Sequence, residues 1–233
     1  PTAPATVGDG QDWEFEGCGG ILIVYKADMN LTDVTVKKVQ TTNVVASGGV
    51  LYLRSLSTVK LKDSHLVVDR DDTYDALYGG AVTMTNYSGT PKLYLENSSI
   101  SGGYAKSYGG NFCMSGSAEV HIDKDSSVFN GKVSKDTTYG GGNFYNGNEN
   151  SRIYLNGGEI YGGIVESGCG GNLRINAGQL HMTGGKIYDG EQVELPDVWL
   201  LGGEVWLTPR NDRVFTVRFG GSVREKWKNG KLD

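Results

Sequence analysis

Along the chain, apolar positions fall into short runs that alternate with other residues, and each run is introduced by two glycines. The runs ILIV, VLYL, AVTM, NFCM, NFYN, NLRI and EVWL follow pairs whose first members are Gly19, Gly48, Gly79, Gly109, Gly141, Gly170 and Gly202. These pairs recur every 29 to 32 residues over nearly the whole length. Within a run the second and fourth residues, from Leu22 and Val24 to Val205 and Leu207, are apolar everywhere except at Asn146. A period of two predicts a strand that buries one face.

Each unit then carries a second strand and, five or six residues on, one more apolar residue. The segments MNLTDVTV, VKLKDSHL, LYLENSSI, VHIDKDSSV, IYLNGGEI and LHMTGGKI align in this way, and FTVRFGGSV follows with one extra residue. Their inward sets run from Met29/Leu31/Val36 to Phe215/Val217/Val223. A further turn is marked by Gly102-Gly103, Asn130-Gly131, Gly162-Gly163 and Asp189-Gly190, residue types suited to positive φ. Such a unit cannot bury its inner face alone, so successive units must stack, pairing equivalent strands in parallel at about 4.8 Å per step. The predicted fold is all-β: a parallel β-helix solenoid of about seven coils and three parallel sheets. Its expected hand is right-handed, as in about 98% of parallel crossovers. Residues 1–17 form a lead-in or N-terminal cap, 18–223 the β-helix and 224–233 a C-terminal cap or tail. Trp13 and Phe15 are expected to plug one mouth and Trp227 the other.

YGGAVTM, with its glycine pair and following apolar strand, resembles the Gly-Gly repeats of right-handed parallel β-helix proteins of bacterial surfaces. These include adhesin-like proteins and polymorphic outer-membrane autotransporter passengers. The resemblance implies a non-catalytic extracellular, cell-surface segment of a longer protein, acting as a stalk or binding host or glycan surfaces. Because the same solenoid also carries polysaccharide-degrading enzymes, a glycoside hydrolase or lyase is the alternative.

Composition narrows the partners. Gly reaches 36 residues against only 5 Pro, which fits a periodic use of glycine rather than disorder or a collagen-like repeat. The net charge of −5 argues against nucleic acid. From Arg210 onward seven basic residues face three acidic ones, so a basic end follows an acidic body. No run approaches the roughly 18 apolar residues of a membrane helix, so no transmembrane segment is expected. Cys18 and Cys169 share a corner position five coils apart, about 24 Å, beyond the roughly 7 Å Cα separation of a disulfide. With Cys113 on another column, three free thiols are expected and no metal cluster. No cofactor motif occurs.

Function is then sought on outward columns. On the first sheet, Asn111, Asn143 and Asn172 predict an outward amide ladder, and Ile21, Ile23, Val50 and Tyr52 an apolar outer patch. The Glu204/Trp206 pair is read as the outward set of the seventh first-sheet strand. On the second sheet Tyr94, His121, Tyr154 and His181 place four rings at strand spacing, beside Glu119 and Arg152; rings in a row suit sugar faces or a protein partner. The best acid/base set, for the enzyme alternative, is Glu96 and Asp123 with His121, since adjacent carboxylates about 5 Å apart suit a retaining glycosidase. Tyr78, Tyr108 and Tyr139 form a second ring column, expected to self-stack. Asp69, Asp71, Asp72 and Asp75 offer the acidic loop for a weak calcium site.

Overall fold

A computed structural model describes residues 5–7, 20–39, 45–69, 74, 76–134, 139–191, 197–207, 215–216, 219–221, 227–228 and 231–232. Within them the chain is all-β, a solenoid of three sheets joined almost wholly by parallel pairing. The first sheet pairs Leu22–Tyr25, Leu51–Arg54, Val82–Thr85, Phe112–Met114, Phe144–Asn146, Leu173–Ile175 and Val198–Leu200 in order. Ala5–Val7 adds a parallel strand at one edge and Phe219–Gly221 at the other. The second sheet runs from Asp28–Thr32 through Thr58–Lys62, Lys92–Glu96, Glu119–Asp123, Arg152–Tyr161 and Gln179–Tyr188 to Glu204–Leu207. Its outer edge is covered by Lys231–Leu232, which pairs antiparallel with Glu204–Leu207. The third sheet comprises Val45–Ser47, Ala76–Tyr78, Tyr104–Tyr108, Lys132–Val133 and Ile164–Val165. About five turns therefore carry all three sheets, fewer than the seven expected from the glycine pairs.

The predicted inward residues form one continuous core. Leu51, Val82, Phe112, Phe144 and Leu173 stand in register and are fully buried. The Phe112 and Phe144 rings stack at 4.4 Å with planes 7° apart. Met29, Leu31 and Val36 pack against this core from the first coil. Phe215, Val217 and Val223 lie outside the residues whose side chains are described, as do Trp13, Phe15 and Trp227.

The glycine pair divides two tasks. At Gly109 φ is +58°, a left-handed conformation that favours glycine. At Gly110 a Cβ would run into the Lys132 backbone nitrogen and the Gly142 carbonyl oxygen. The third turn uses the expected residues, with φ of +79° at Gly102, +54° at Asn130, +61° at Gly162 and +51° at Asp189.

Immediately after the corner the chain departs from simple alternation. The N–H groups of Asn111 and Phe112 both donate to the Asn143 carbonyl, at 3.2 and 2.7 Å, and those of Asn143 and Phe144 both donate to that of Asn172, at 2.8 Å each. Sharing one acceptor marks a bulge, and a bulge turns two successive side chains to the same face. The first residue of each first-sheet run from ILIV to NLRI therefore faces inward, correcting the expected outward placement of the asparagine ladder and of Ile21 and Val50. Val50 and Ala81 belong to the core, and Asn111, Asn143 and Asn172 are fully buried. Ile23 and Tyr52 lie outside that core cluster but are only 2% and 6% exposed, so no open apolar patch forms.

The asparagines build an internal ladder. Asn111 Nδ2 donates to Asn143 Oδ1 and Asn143 Nδ2 to Asn172 Oδ1, each at 2.7 Å. Each amide also ties its own corner: Asn143 Oδ1 accepts from the Gly131 N–H, and its Nδ2 donates to the Tyr161 carbonyl. Asp197 ends the ladder as a pure acceptor, taking the Asn172 amide at 3.2 Å and the Gly190 N–H at 2.8 Å. Asp197 is thus the seventh corner residue, because Asn172 and Leu173 both donate to its carbonyl. Gly202-Gly203 instead connects the first sheet to the second, which moves the EVWL strand one sheet along from its expected place.

Two buried asparagines should respond oppositely to substitution. Asn143→Ala takes the acceptor from the buried Gly131 N–H and from the Asn111 amide and breaks the ladder to Asn172, and is expected to lower the unfolding free energy by about 3–5 kcal/mol. Asn146 interrupts the Met84–Met114 column and its Nδ2 has no hydrogen-bond partner. Asn146→Leu is expected to raise stability by about 1–2 kcal/mol, and urea unfolding of both variants measures the contrast.

Candidate functional site

The second sheet brings its predicted rings into one line. Register pairs Tyr94 with His121, His121 with Tyr154, and Tyr154 with His181, each half-buried on the outer face. Centroids are 4.4, 4.4 and 5.0 Å apart, and planes lie within 15°, 13° and 22° of parallel. Trp206, displaced onto this sheet by the Gly202-Gly203 connection, continues the stack 5.9 Å from His181 at 8°. Lys60 Nζ stands 5.9 Å from the Tyr94 centroid at the opposite end. Rings stacked this closely cover one another's faces, so the column offers ring edges and polar tips outward. A sugar cannot lie flat on them between the coils.

A polar ladder runs beside the rings. Lys92 Nζ meets Glu119 Oε2 at 2.9 Å. Arg152 Nε donates to Gln179 Oε1 at 3.2 Å, Gln179 Nε2 to Glu204 Oε2 at 3.0 Å, and Trp206 Nε1 to the same Glu204 oxygen at 3.1 Å. His181 Nε2 lies 2.9 Å from Gln179 Oε1. His121 Nε2 lies 3.6 Å from Glu119 Oε2, beyond hydrogen-bond length. Burial pushes the Glu119 carboxyl up, but the Lys92 ammonium outweighs it and leaves the group below the usual range. The hydrogen bond to Glu119 holds Lys92 above its ordinary value. Burial holds both imidazoles below the histidine range, aided at His181 by Arg152 and opposed at His121 by Glu119.

The remaining candidates are more scattered. Glu96 is exposed at the end of its strand, and Asp123 sits at a bulge where Asn156 Nδ2 reaches its Oδ1 at 3.3 Å. Asp69 forms an ion pair with Lys37 at 2.9 Å, while Asp71, Asp72 and Asp75 lie outside the described residues. Cys113 and Cys169 are free, and burial pushes the Cys113 thiol up to about 12. Cys18 lies outside the described residues. Tyr78, Tyr108 and Tyr139 do approach one another, with Tyr108 centroids 5.5 Å from Tyr78 and 4.3 Å from Tyr139, but their planes are tilted by 33° and 39°.

Sequence reasoning missed a third ring column. Phe129, Tyr161 and Tyr188 stack at 4.9 and 5.3 Å, and Lys186 and Tyr188 both donate to Glu159 beside them. The signal was present, since each ring directly follows an inward residue, Val128, Ile160 or Ile187.

No family model matches the chain, and no solved structure matches it. Short stretches are similar to glycogen phosphorylases. They are 43% identical over 65 residues to glycogen phosphorylase 2 of Dictyostelium discoideum, covering 28% of this chain and 6% of that protein. The glycogen phosphorylase of Bacillus subtilis is 47% identical over 47 residues, covering 20% and 6%. That of Haemophilus influenzae is 39% identical over 61 residues, covering 26% and 7%. The chain therefore spans less than a tenth of the length of these relatives, and stretches this short assign no family.

The depressed imidazoles carry a pH dependence. Both bind protons less readily in the fold than in the unfolded chain, which takes them up below a pH of about 6.5, so stability is lost as pH falls through that value. The urea midpoint is expected to drop between about pH 7.5 and about pH 5.5, and a His121→Gln/His181→Gln double variant to show a smaller drop.

Proposed function

We propose that this chain is a non-catalytic segment of an extracellular bacterial surface protein, a right-handed β-helix stalk of adhesin type whose second-sheet face meets a host or glycan surface. The observation that carries the reading is the continuous outer ladder from Lys60 to Trp206, in which ring edges alternate with charged and amide groups over successive coils. Such a face is long, nearly regular and rich in donors and acceptors at fixed spacing, which suits an extended partner more than a small substrate. The mode of contact follows from the stacking: partners meet the tips of Tyr94 and Tyr154 and the side chains of Arg152 and Glu119, not the faces of the rings.

The parallel crossovers favour a right-handed coil, and the glycine-pair resemblance supports the surface-protein setting. Among the described residues no helix is long and apolar enough to cross a membrane. For the polysaccharide-degrading alternative, an exposed Glu96 and an amide-bonded Asp123 offer little exclusion of water around a reacting bond.

A glycan array probed with the purified chain tests the reading. Tyr94→Ala/Tyr154→Ala and Arg152→Ala variants that keep the β circular-dichroism spectrum are expected to lose at least about tenfold in retention. Retention unchanged in both variants, or no retention of the parent chain on any glycan, would remove this face as a glycan contact.

A further inference from the structure

The outer face of the first sheet has a notch. Its outward column reads Tyr52, Thr83, Cys113 and Tyr145 in register on four consecutive coils. Two short side chains between two tyrosines leave a gap two coils long, about 10 Å at the strand spacing. Thr83 and Cys113 form its floor and are 1% and 3% exposed, because the Tyr78, Tyr108 and Tyr145 rings stand around them. Ser47 and Ser115 also line it, and the whole cleft has a volume of about 390 Å³, within the roughly 300–1,000 Å³ range of ligand pockets.

The rings here differ from the second-sheet stack in one decisive respect. Tyr108 stands 4.4 Å from Tyr145 and 4.3 Å from Tyr139, as close as the second-sheet rings, but it is tilted by 48° and 39° to them and by 33° to Tyr78, which remains 39% exposed. The tilted cleft keeps aromatic surface open at Tyr78, whereas the rings of Tyr94, His121, Tyr154 and His181 are half-buried in a parallel stack.

The lining carries no formal charge, every residue being Ser, Thr, Tyr, Cys or Gly. Burial, followed by the Tyr139 contact, pushes the Tyr108 phenol well above its ordinary value, so it stays neutral. A phosphate, carboxylate or ammonium would be desolvated there without a counter-charge. Thr83 Oγ1 already donates to the Tyr78 carbonyl at 2.8 Å, and Tyr145 Oη accepts from Asn176 Nδ2 at 3.0 Å, which fixes two of the polar groups before any ligand arrives.

We infer that this cleft is a binding site for one neutral pyranose unit, with the C–H face of the sugar against the tyrosine rings and its hydroxyls toward Ser47 and Ser115. The site is separate from the second-sheet face and stands if that face binds nothing. Uncharged aromatic surface bordered by serines matches the two-sided character of a neutral sugar, apolar on its ring face and polar at its edge.

Saturation-transfer NMR and calorimetry with methyl glucoside, galactoside, mannoside and xyloside, and the corresponding neutral disaccharides, test the site, with glucuronate and glucosamine as charged comparators. At least one neutral sugar is expected to bind while the charged ones do not. Tyr108→Ala is expected to weaken binding at least about tenfold. Ser115 is exposed, so Ser115→Trp, which fills the cleft from its rim without touching the core, is expected to abolish binding even if Tyr108→Ala fails to fold. Tyr94→Ala/Tyr154→Ala should leave binding unchanged, separating this site from the second-sheet face. The inference is overturned if no neutral sugar binds at tens of millimolar, if charged sugars bind equally well, or if Ser115→Trp binds like the parent chain.

Discussion

In-register parallel stacking is the constraint on which the rest of this molecule depends. At a step of about 4.8 Å every side chain lies against its counterpart one coil away, so a column is stable only if its members tolerate their own kind or a complement. Buried asparagines meet the condition because an amide is donor and acceptor at once, and Asn111, Asn143 and Asn172 use both ends. Like charges do not, and the column from Lys92 to Glu204 alternates accordingly: Lys92 with Glu119, then Arg152 with Gln179 and Gln179 with Glu204. Asp197 shows the rule at a terminus, where the last member of an amide ladder needs only to accept.

The same constraint explains how much could be read from the sequence. Apolar residues at a period of two inside a thirty-residue repeat identify strand, sheet and core, and Leu51, Val82, Phe112, Phe144 and Leu173 occupy a single buried row. The ring column was equally legible, since register follows directly from the alignment of the second strands. What escaped was local backbone geometry. A strict alternation places Asn111, Asn143 and Asn172 outside, but a bulge after the corner reverses the facing of one residue per coil. Nothing in residue type announces that bulge, because Val50, Ala81 and the asparagines are all acceptable on either face.

The last repeat fails in sequence for a related reason. Gly202-Gly203 has the spacing of a corner, yet φ at Gly202 is not left-handed and the seventh corner falls at Asp197. A carboxylate can replace asparagine there because the ladder ends, and a carboxylate does not look like an asparagine to a pattern search. The shift carries Trp206 onto the second sheet, where it extends the ring stack beyond the four residues visible as a column.

Stacking also decides what aromatic residues can do for a partner. In mid-strand the backbone holds neighbouring rings nearly parallel and close to the coil spacing, so His121 spends both faces on Tyr94 and Tyr154. Near the corners the third sheet shifts register between Ala105 and Tyr108, and the tyrosines lose that enforced alignment. Tyr78, Tyr108 and Tyr145 then pack around two short residues with their planes tilted by 33° and 48°. Regular columns therefore supply stability and a patterned polar surface, whereas the rings around Thr83 and Cys113 lose that alignment where the regularity breaks.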